Sequence, residues 1–95
     1  MVSKAQSEAE KMAAVPGIYF ADEHDERVPK VAGSGLGVWE IVQIYVGSGR
    51  DMATLRRAFP WLEADQLGAA LAYYAEFPAE IDAAIAENEA SLAEA

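Results

Sequence analysis

Several residue types are missing or scarce in this chain of 95 residues, and each gap excludes a class of protein. No cysteine is present, so disulfide bridges and thiolate metal sites are excluded, and the reducing cytoplasm is the expected compartment. The single histidine, His24, leaves no second imidazole for a zinc site or a catalytic pair. No apolar run reaches the roughly 18 residues that a membrane span requires. We therefore expect a cytoplasmic protein that does not enter membranes, is not an enzyme and needs no metal or cofactor.

Lysine and arginine are absent from residues 58–95, which contain eight carboxylates. Residues 1–57 hold all seven basic side chains against eight acidic ones, so the C-terminal part carries nearly all of the net charge of -9. This polarity predicts two surfaces with different partners, one mildly basic and one acidic. The alternative is that the acidic part is only solvated surface.

The length predicts one small domain, residues 1–95, whose core is small. A domain of this size buries only about 60 to 65% of its unfolded surface and often gains further core by associating. We therefore expect a homodimer. Either an extended arm, residues 17–36, or the last helix should cross to the second protomer, because Tyr19, Phe20 and Ile81 otherwise lack cover.

The first 37 residues divide into an extension and an arm. Ser3, with a glutamine three residues later, has the spacing of a weak capping box. The apolar face of this stretch is thin, so residues 1–15 are expected to be helical only if they pack on something. Residues 16–37 contain two short β-prone runs around a polar stretch, which predicts a hairpin or an extended arm. Pro29 permits the second run to be an edge strand at most.

From Val38 onward the apolar spacing is that of helices. Residues 38–77 are predicted to form a core of three short helices joined by tight turns, which is typical of a helix-turn-helix. Residues 78–95 should form an acidic C-terminal helix. The helices are expected near residues 38–47, 51–59, 63–77 and 79–92. Most of the core should come from Trp39, Ile41, Leu55, Phe59, Leu67 and Leu71.

A series of motifs runs through residues 29–89. A proline, a glycine-rich turn and a helix start occupy Pro29–Ile41, and they are followed by the phenylalanine-proline turn Phe59–Leu62, the helix segment Ala69–Tyr73 and Pro78. In their order and spacing these motifs resemble the bacterial domain-of-unknown-function family numbered 433. The resemblance implies a small homeodomain-like helix-turn-helix protein. Together with the β-prone runs, the expected fold is mainly α, with a short N-terminal β arm before the helix-turn-helix core. The resemblance also implies an antitoxin of the VapB kind, whose partner is a PIN-like ribonuclease.

The candidate DNA contacts lie in the arm and in the predicted helix-turn-helix. In such a fold the third helix enters the major groove with its first turns. Here those turns carry Glu63 and Asp65, which phosphate would repel, and Glu63 is a poor N-cap. Solvated charge is the alternative for the basic residues. The candidates are Lys30, Arg50, Arg56 and Arg57 for phosphate and Gln66 for a base.

The candidate contacts to a protein partner lie on the last helix and at Phe77 just before it. Its acidic rows have no lysine to offset them, so the helix is weak in isolation and should need a partner surface. The alternative is that Ile81 and Ile85 complete the core of the domain or of a homodimer. The candidates are Phe77, Ile81, Ile85, Glu87 and Leu92.

Two functions remain open from the sequence. The first is an antitoxin that neutralises a PIN-like ribonuclease by protein contact and also represses its own operon by binding operator DNA. The second is a small dimeric protein-interaction adaptor with no nucleic-acid role. A basic patch on one face of the folded protein favours the first, and a uniformly negative surface favours the second.

Overall fold

The computed structural model describes the backbone of residues 7–94 and the side chains of residues 7–90. Within this part, the chain is mainly helical with one small two-stranded antiparallel sheet, as the sequence predicts. None of its helices is long and apolar enough to cross a membrane. The elements are α1 (Glu8–Ala14), β1 (Ile18–Glu23), β2 (Glu26–Val31), α2 (Val38–Gly47), α3 (Met52–Ala58), α4 (Ala64–Glu76) and α5 (Pro78–Glu94).

The N-terminal extension contains a short helix, α1, that packs on β1. Its capping box is formed by Ser7, whose Oγ accepts the Glu10 N–H at 3.1 Å while the Ser7 N–H donates to Glu10 Oε1 at 2.8 Å. Ser3, the predicted cap, lies outside the described residues. Val15 follows the helix and is 2% exposed, so the extension contributes to the core.

The arm is a β-hairpin with a two-residue turn. Its strands pair from Ile18 opposite Val31 to Glu23 opposite Glu26. His24 and Asp25 both adopt positive φ, 51° and 67°, which is the geometry of a type I′ turn.

Helix α2 lies at the centre of the helical part, where α3, α4 and α5 all pack on it. Its Val38, Ile41 and Val42 are completely buried. The backbone of α3 stays apart from α4 over the described residues, although these two helices would form the helix pair of a helix-turn-helix. The homeodomain-like arrangement therefore stays a prediction.

The core combines residues from both strands and from helices α2 to α5, together with Val15 after α1. Of the six core residues predicted, Ile41, Leu55 and Leu67 are buried, and the other three are half-buried against them. Of the two adjacent tyrosines in α4, Tyr73 has no exposed surface and Tyr74 is half-buried. The hairpin explains the difference, because it covers α4 on the side of Tyr73. The buried hydrophobic residues are Val15, Ile18, Val31, Val38, Ile41, Val42, Leu55, Leu67, Ala69, Ala70, Tyr73 and Ile81.

Two of the three residues that were expected to need a second protomer are covered within the chain. The ring of Phe20 packs on that of Tyr73, with centroids 6.3 Å apart, and Ile81 is 1% exposed. Tyr19 remains 36% exposed. Because α5 packs on its own α2 and α4, cover does not require that it cross to another copy. The homodimer stays a prediction.

The N-cap of α3 should make stability depend on pH. Asp51 accepts hydrogen bonds from the Thr54 hydroxyl at 2.7 Å and the Ala53 N–H at 3.2 Å. These bonds, chiefly that of Thr54, hold the pKa of Asp51 below its usual 3.8. The charged form is therefore favoured in the folded state. Its contribution to stability is present above the usual pKa and is lost as the pH falls through the lowered folded value.

We therefore expect Asp51→Asn to lower the melting temperature at neutral pH, and the difference from wild type to shrink in strong acid. Thermal unfolding followed by circular dichroism at several pH values measures both. A difference that stays constant with pH would show that the charge of Asp51 does not stabilise α3.

Candidate functional site

A groove separates the hairpin from α5, and Trp39 of α2 contributes to its lining. Its volume is about 670 Å³. The apolar part of the lining comes from Val28 of the hairpin and Ala84 of α5, which are half-buried, and from the buried side chains of Pro29 and Ile81. A concave surface with an apolar lining is suited to hold a side chain or a short segment of another molecule.

The rim of the groove is acidic. Glu23 and Glu26 line it from the hairpin, and Glu80 and Glu87 line it from α5. The groove's own cation, Arg27, is bound to Glu8 at 2.8 Å and to Asp22 at 3.0 Å.

Two other cations neutralise part of the rim. Lys30 pairs with Glu23 at 2.6 Å, and Lys11 pairs with Glu80 at 2.8 Å. Glu26 and Glu87 make no ion pair with any described residue. Each wall therefore offers one carboxylate whose charge is not neutralised, and the groove favours a positively charged occupant.

Glu80 fixes the α5 wall in place. Its carboxylate accepts hydrogen bonds from Lys11 Nζ at 2.8 Å and from the Tyr73 hydroxyl at 2.8 Å. Burial and the bond to Glu80 raise the pKa of Tyr73, so its hydroxyl remains a donor. The ammonium of Lys11 also lies 5.1 Å from the centroid of the Phe77 ring, within the range of a cation–π contact. We call Lys11, Tyr73 and Glu80 the α1–α5 clasp.

The structure separates the residues predicted to bind a protein partner. Ile81 is fully buried, so its side chain serves the core, which was the alternative for this residue. Phe77 packs against Tyr73 with centroids 4.8 Å apart, and Ile85 is half-buried against the core. Glu87 is exposed at the groove. Leu92 lies outside the residues whose side chains are described.

Three of the predicted phosphate contacts are exposed on or beside α3, namely Arg50, Arg56 and Arg57. The guanidinium of Arg50 lies 5.9 Å from the Tyr45 ring centroid and 5.8 Å from that of Tyr74. The fourth, Lys30, is held by Glu23 on the hairpin and has only 14% of its side chain exposed.

Gln66, the predicted base reader, has both ends of its amide engaged within the fold. Its Oε1 accepts the Glu63 N–H at 2.8 Å, and its Nε2 donates to the Ala32 carbonyl at 3.1 Å. Glu63 is the N-cap residue of α4, although glutamate is a poor N-cap, and the Gln66 side chain supports it by accepting the Glu63 N–H. The side chain of Gln66 is half-buried, and the exposed residues of this turn are Ala64 and Asp65.

The hairpin wall and Trp39 were missed by the sequence interpretation. Trp39 was assigned to the core, and the acidic hairpin turn had no assigned partner. No three histidine or acidic side chains converge on a possible metal position in the part of the chain that the structure describes.

Comparisons of the chain with protein-family models, curated proteins and solved structures find no match. The resemblance to family 433 therefore rests on the sequence motifs alone.

Proposed function

We propose that the chain is the antitoxin of a toxin–antitoxin pair and acts in the cytoplasm by binding a basic surface of a PIN-like ribonuclease. The observation that carries the proposal is the groove with an apolar lining and one carboxylate on each wall, Glu26 and Glu87, that has no ion pair among the described residues. The negative charge of this groove supports a basic partner. The sequence resemblance supports a PIN-like ribonuclease as that partner.

The inhibitory chemistry follows from what a ribonuclease must present to its substrate. RNA is a polyanion, so the surface that receives it carries lysine and arginine side chains. An acidic groove competes for the same cations and excludes the phosphates. Val28 and Trp39, which are half-buried, add apolar contact to the charge pairing.

The rigidity of the groove also favours binding. The paired strands with their tight turn hold one wall, and the α1–α5 clasp holds the other. Little conformational entropy is then lost when a partner binds.

The homeodomain-like arrangement of α2, α3 and α4 remains part of the proposal through the resemblance, and the packing of α2 on both other helices supports it. Sequence-specific DNA binding does not belong to it. The first turn of α4 exposes Asp65, and Gln66 is bonded to Ala32 rather than free to contact a base.

The test is a charge-neutralising pair, Glu26→Gln with Glu87→Gln. We expect it to weaken binding to the nuclease by about 10- to 100-fold, because two cations of the nuclease lose their carboxylate partners. Isothermal titration with a catalytically inactive variant of the proposed partner nuclease measures the affinity, and RNA cleavage by the active nuclease measures inhibition.

The matched control is Asp25→Asn with Glu89→Gln, which removes the same charge from exposed neighbours that do not line the groove. An equal loss in the control pair would show that net charge, and not the groove, governs binding. Failure of the wild-type chain to bind the nuclease, combined with capture of another basic protein, would favour the adaptor function.

A further inference from the structure

Trp61, in the turn between α3 and α4, is 63% exposed, more than any other large hydrophobic residue of the described chain. Its indole meets the ring of Phe59 edge to face, with centroids 5.7 Å apart and planes at 76°. Phe59 in turn packs against the core. A single exposed hydrophobic residue is ordinary. An indole that packs on an anchored ring is already ordered, so it loses little conformational entropy when a partner binds.

Two cations precede this tryptophan. Arg56 and Arg57 lie in the last turn of α3, and both are exposed. Neither makes an ion pair with a described residue. Tryptophan and arginine are the residues most enriched among those that dominate the energy of protein interfaces. We call Arg56, Arg57 and Trp61 the basic turn.

We propose that the basic turn of one copy docks into the groove of a second copy of this chain. The two surfaces have opposite charges, and each also offers an aromatic ring. The turn brings two arginines and an indole, and the groove brings the carboxylates Glu26 and Glu87 and the ring of Trp39. The groove volume, about 670 Å³, is ample for one indole and the arginine stems beside it.

A nucleic acid is the less favourable occupant of the basic turn. The chain carries a net charge of -9, and Glu63 and Asp65 follow the turn directly. These negative charges repel a polyanion such as RNA or DNA. The groove of a second copy offers carboxylates at the point of contact.

The contact joins two different surfaces of the chain. Two reciprocal contacts close a dimer if the geometry allows, and otherwise the contact continues from copy to copy. Because it occupies the groove that the proposed function assigns to the nuclease, self-association and nuclease binding should compete. The inference itself depends on the groove and not on the identity of the nuclease.

The test uses one variant for each surface. Trp61→Ala removes the indole, and Glu26→Lys with Glu87→Lys reverses the groove charges; all three side chains are exposed, so folding should be kept. In sedimentation velocity, we expect wild type to associate with rising concentration and each variant alone to associate at least tenfold more weakly. An equimolar mixture of the two variants should associate again, because it retains one intact turn and one intact groove.

The control is Val46→Ala, another exposed hydrophobic residue, at 39% exposure, which should associate like wild type. A wild type that stays monomeric, a Trp61→Ala variant that associates normally, or a mixture that stays monomeric would each overturn the inference. Nuclease binding by Trp61→Ala should be unchanged or tighter, so failure of the inference is distinct from failure of the proposed function. A wild type that stays monomeric without RNA and binds RNA more tightly than Trp61→Ala would assign the basic turn to nucleic acid and also overturn the inference.

Discussion

Replacing Tyr73 with alanine is expected to bring the domain close to unfolding. Tyr73 has no exposed surface, and its ring contacts those of Phe20 and Phe77. Removing a large buried aromatic ring typically costs about 3 to 5 kcal/mol. A natural domain has a total stability of about 5 to 15 kcal/mol, and a small one lies toward the lower end. Urea unfolding followed by circular dichroism measures the loss.

Two control variants separate the ring from its surroundings. Tyr73→Phe keeps the ring and removes only the hydroxyl bonded to Glu80, so it should cost about 1 kcal/mol. Tyr74→Ala changes the next residue, which is half-buried, and should cost less than Tyr73→Ala. A larger loss for Tyr74→Ala than for Tyr73→Ala would mean that α4 buries the opposite face.

The second large effect is expected at Ile81. Its side chain is 1% exposed, so Ile81→Ala should lower the free energy of unfolding by about 2 to 5 kcal/mol. Ile85, one turn later, is half-buried, and Ile85→Ala should cost clearly less. Chemical unfolding of the two variants compares them directly.

This pair also decides how α5 is used. If Ile81 mainly served a partner, its alanine variant would keep its stability and lose affinity for the nuclease. We expect the reverse, a loss of stability with little change in the affinity of the molecules that remain folded.

The helices could be predicted from the sequence because their signals are local. Asp51 caps α3, Pro60 follows the end of α3, and Pro78 begins α5. The apolar spacing predicts the helices between these signals. The hairpin was also visible from two β-prone runs around a polar turn. Such signals depend on neighbours within a few residues.

The groove could not be predicted because it depends on where the hairpin docks. That docking selects Tyr73 rather than Tyr74 for the core and places Gly17 beside Ala69, where an added Cβ would lie 3.2 Å from the Ala69 Cβ. No local pattern encodes this contact. The contact of Gln66 with Ala32 could not be predicted either, because the two residues are 34 positions apart in the sequence.

The charge pattern was predicted only in outline. The sequence shows an acidic C-terminal part, but not that Lys11, Arg27 and Lys30 pair with carboxylates around the groove. These pairs leave the arginines on and beside α3 as the basic residues without an ion pair in the described chain. Lys11 and Glu80 are 69 positions apart, so only the folded chain shows how the positive charge is distributed.

The α1–α5 clasp also bears on how the domain opens. Glu80, at the start of the last helix, is the acceptor for Lys11 of the first helix and for the hydroxyl of Tyr73. Detaching α5 would therefore remove the ion pair of α1 with Glu80 and leave a buried tyrosine hydroxyl without its acceptor. We therefore expect the opening of either helix to loosen the other.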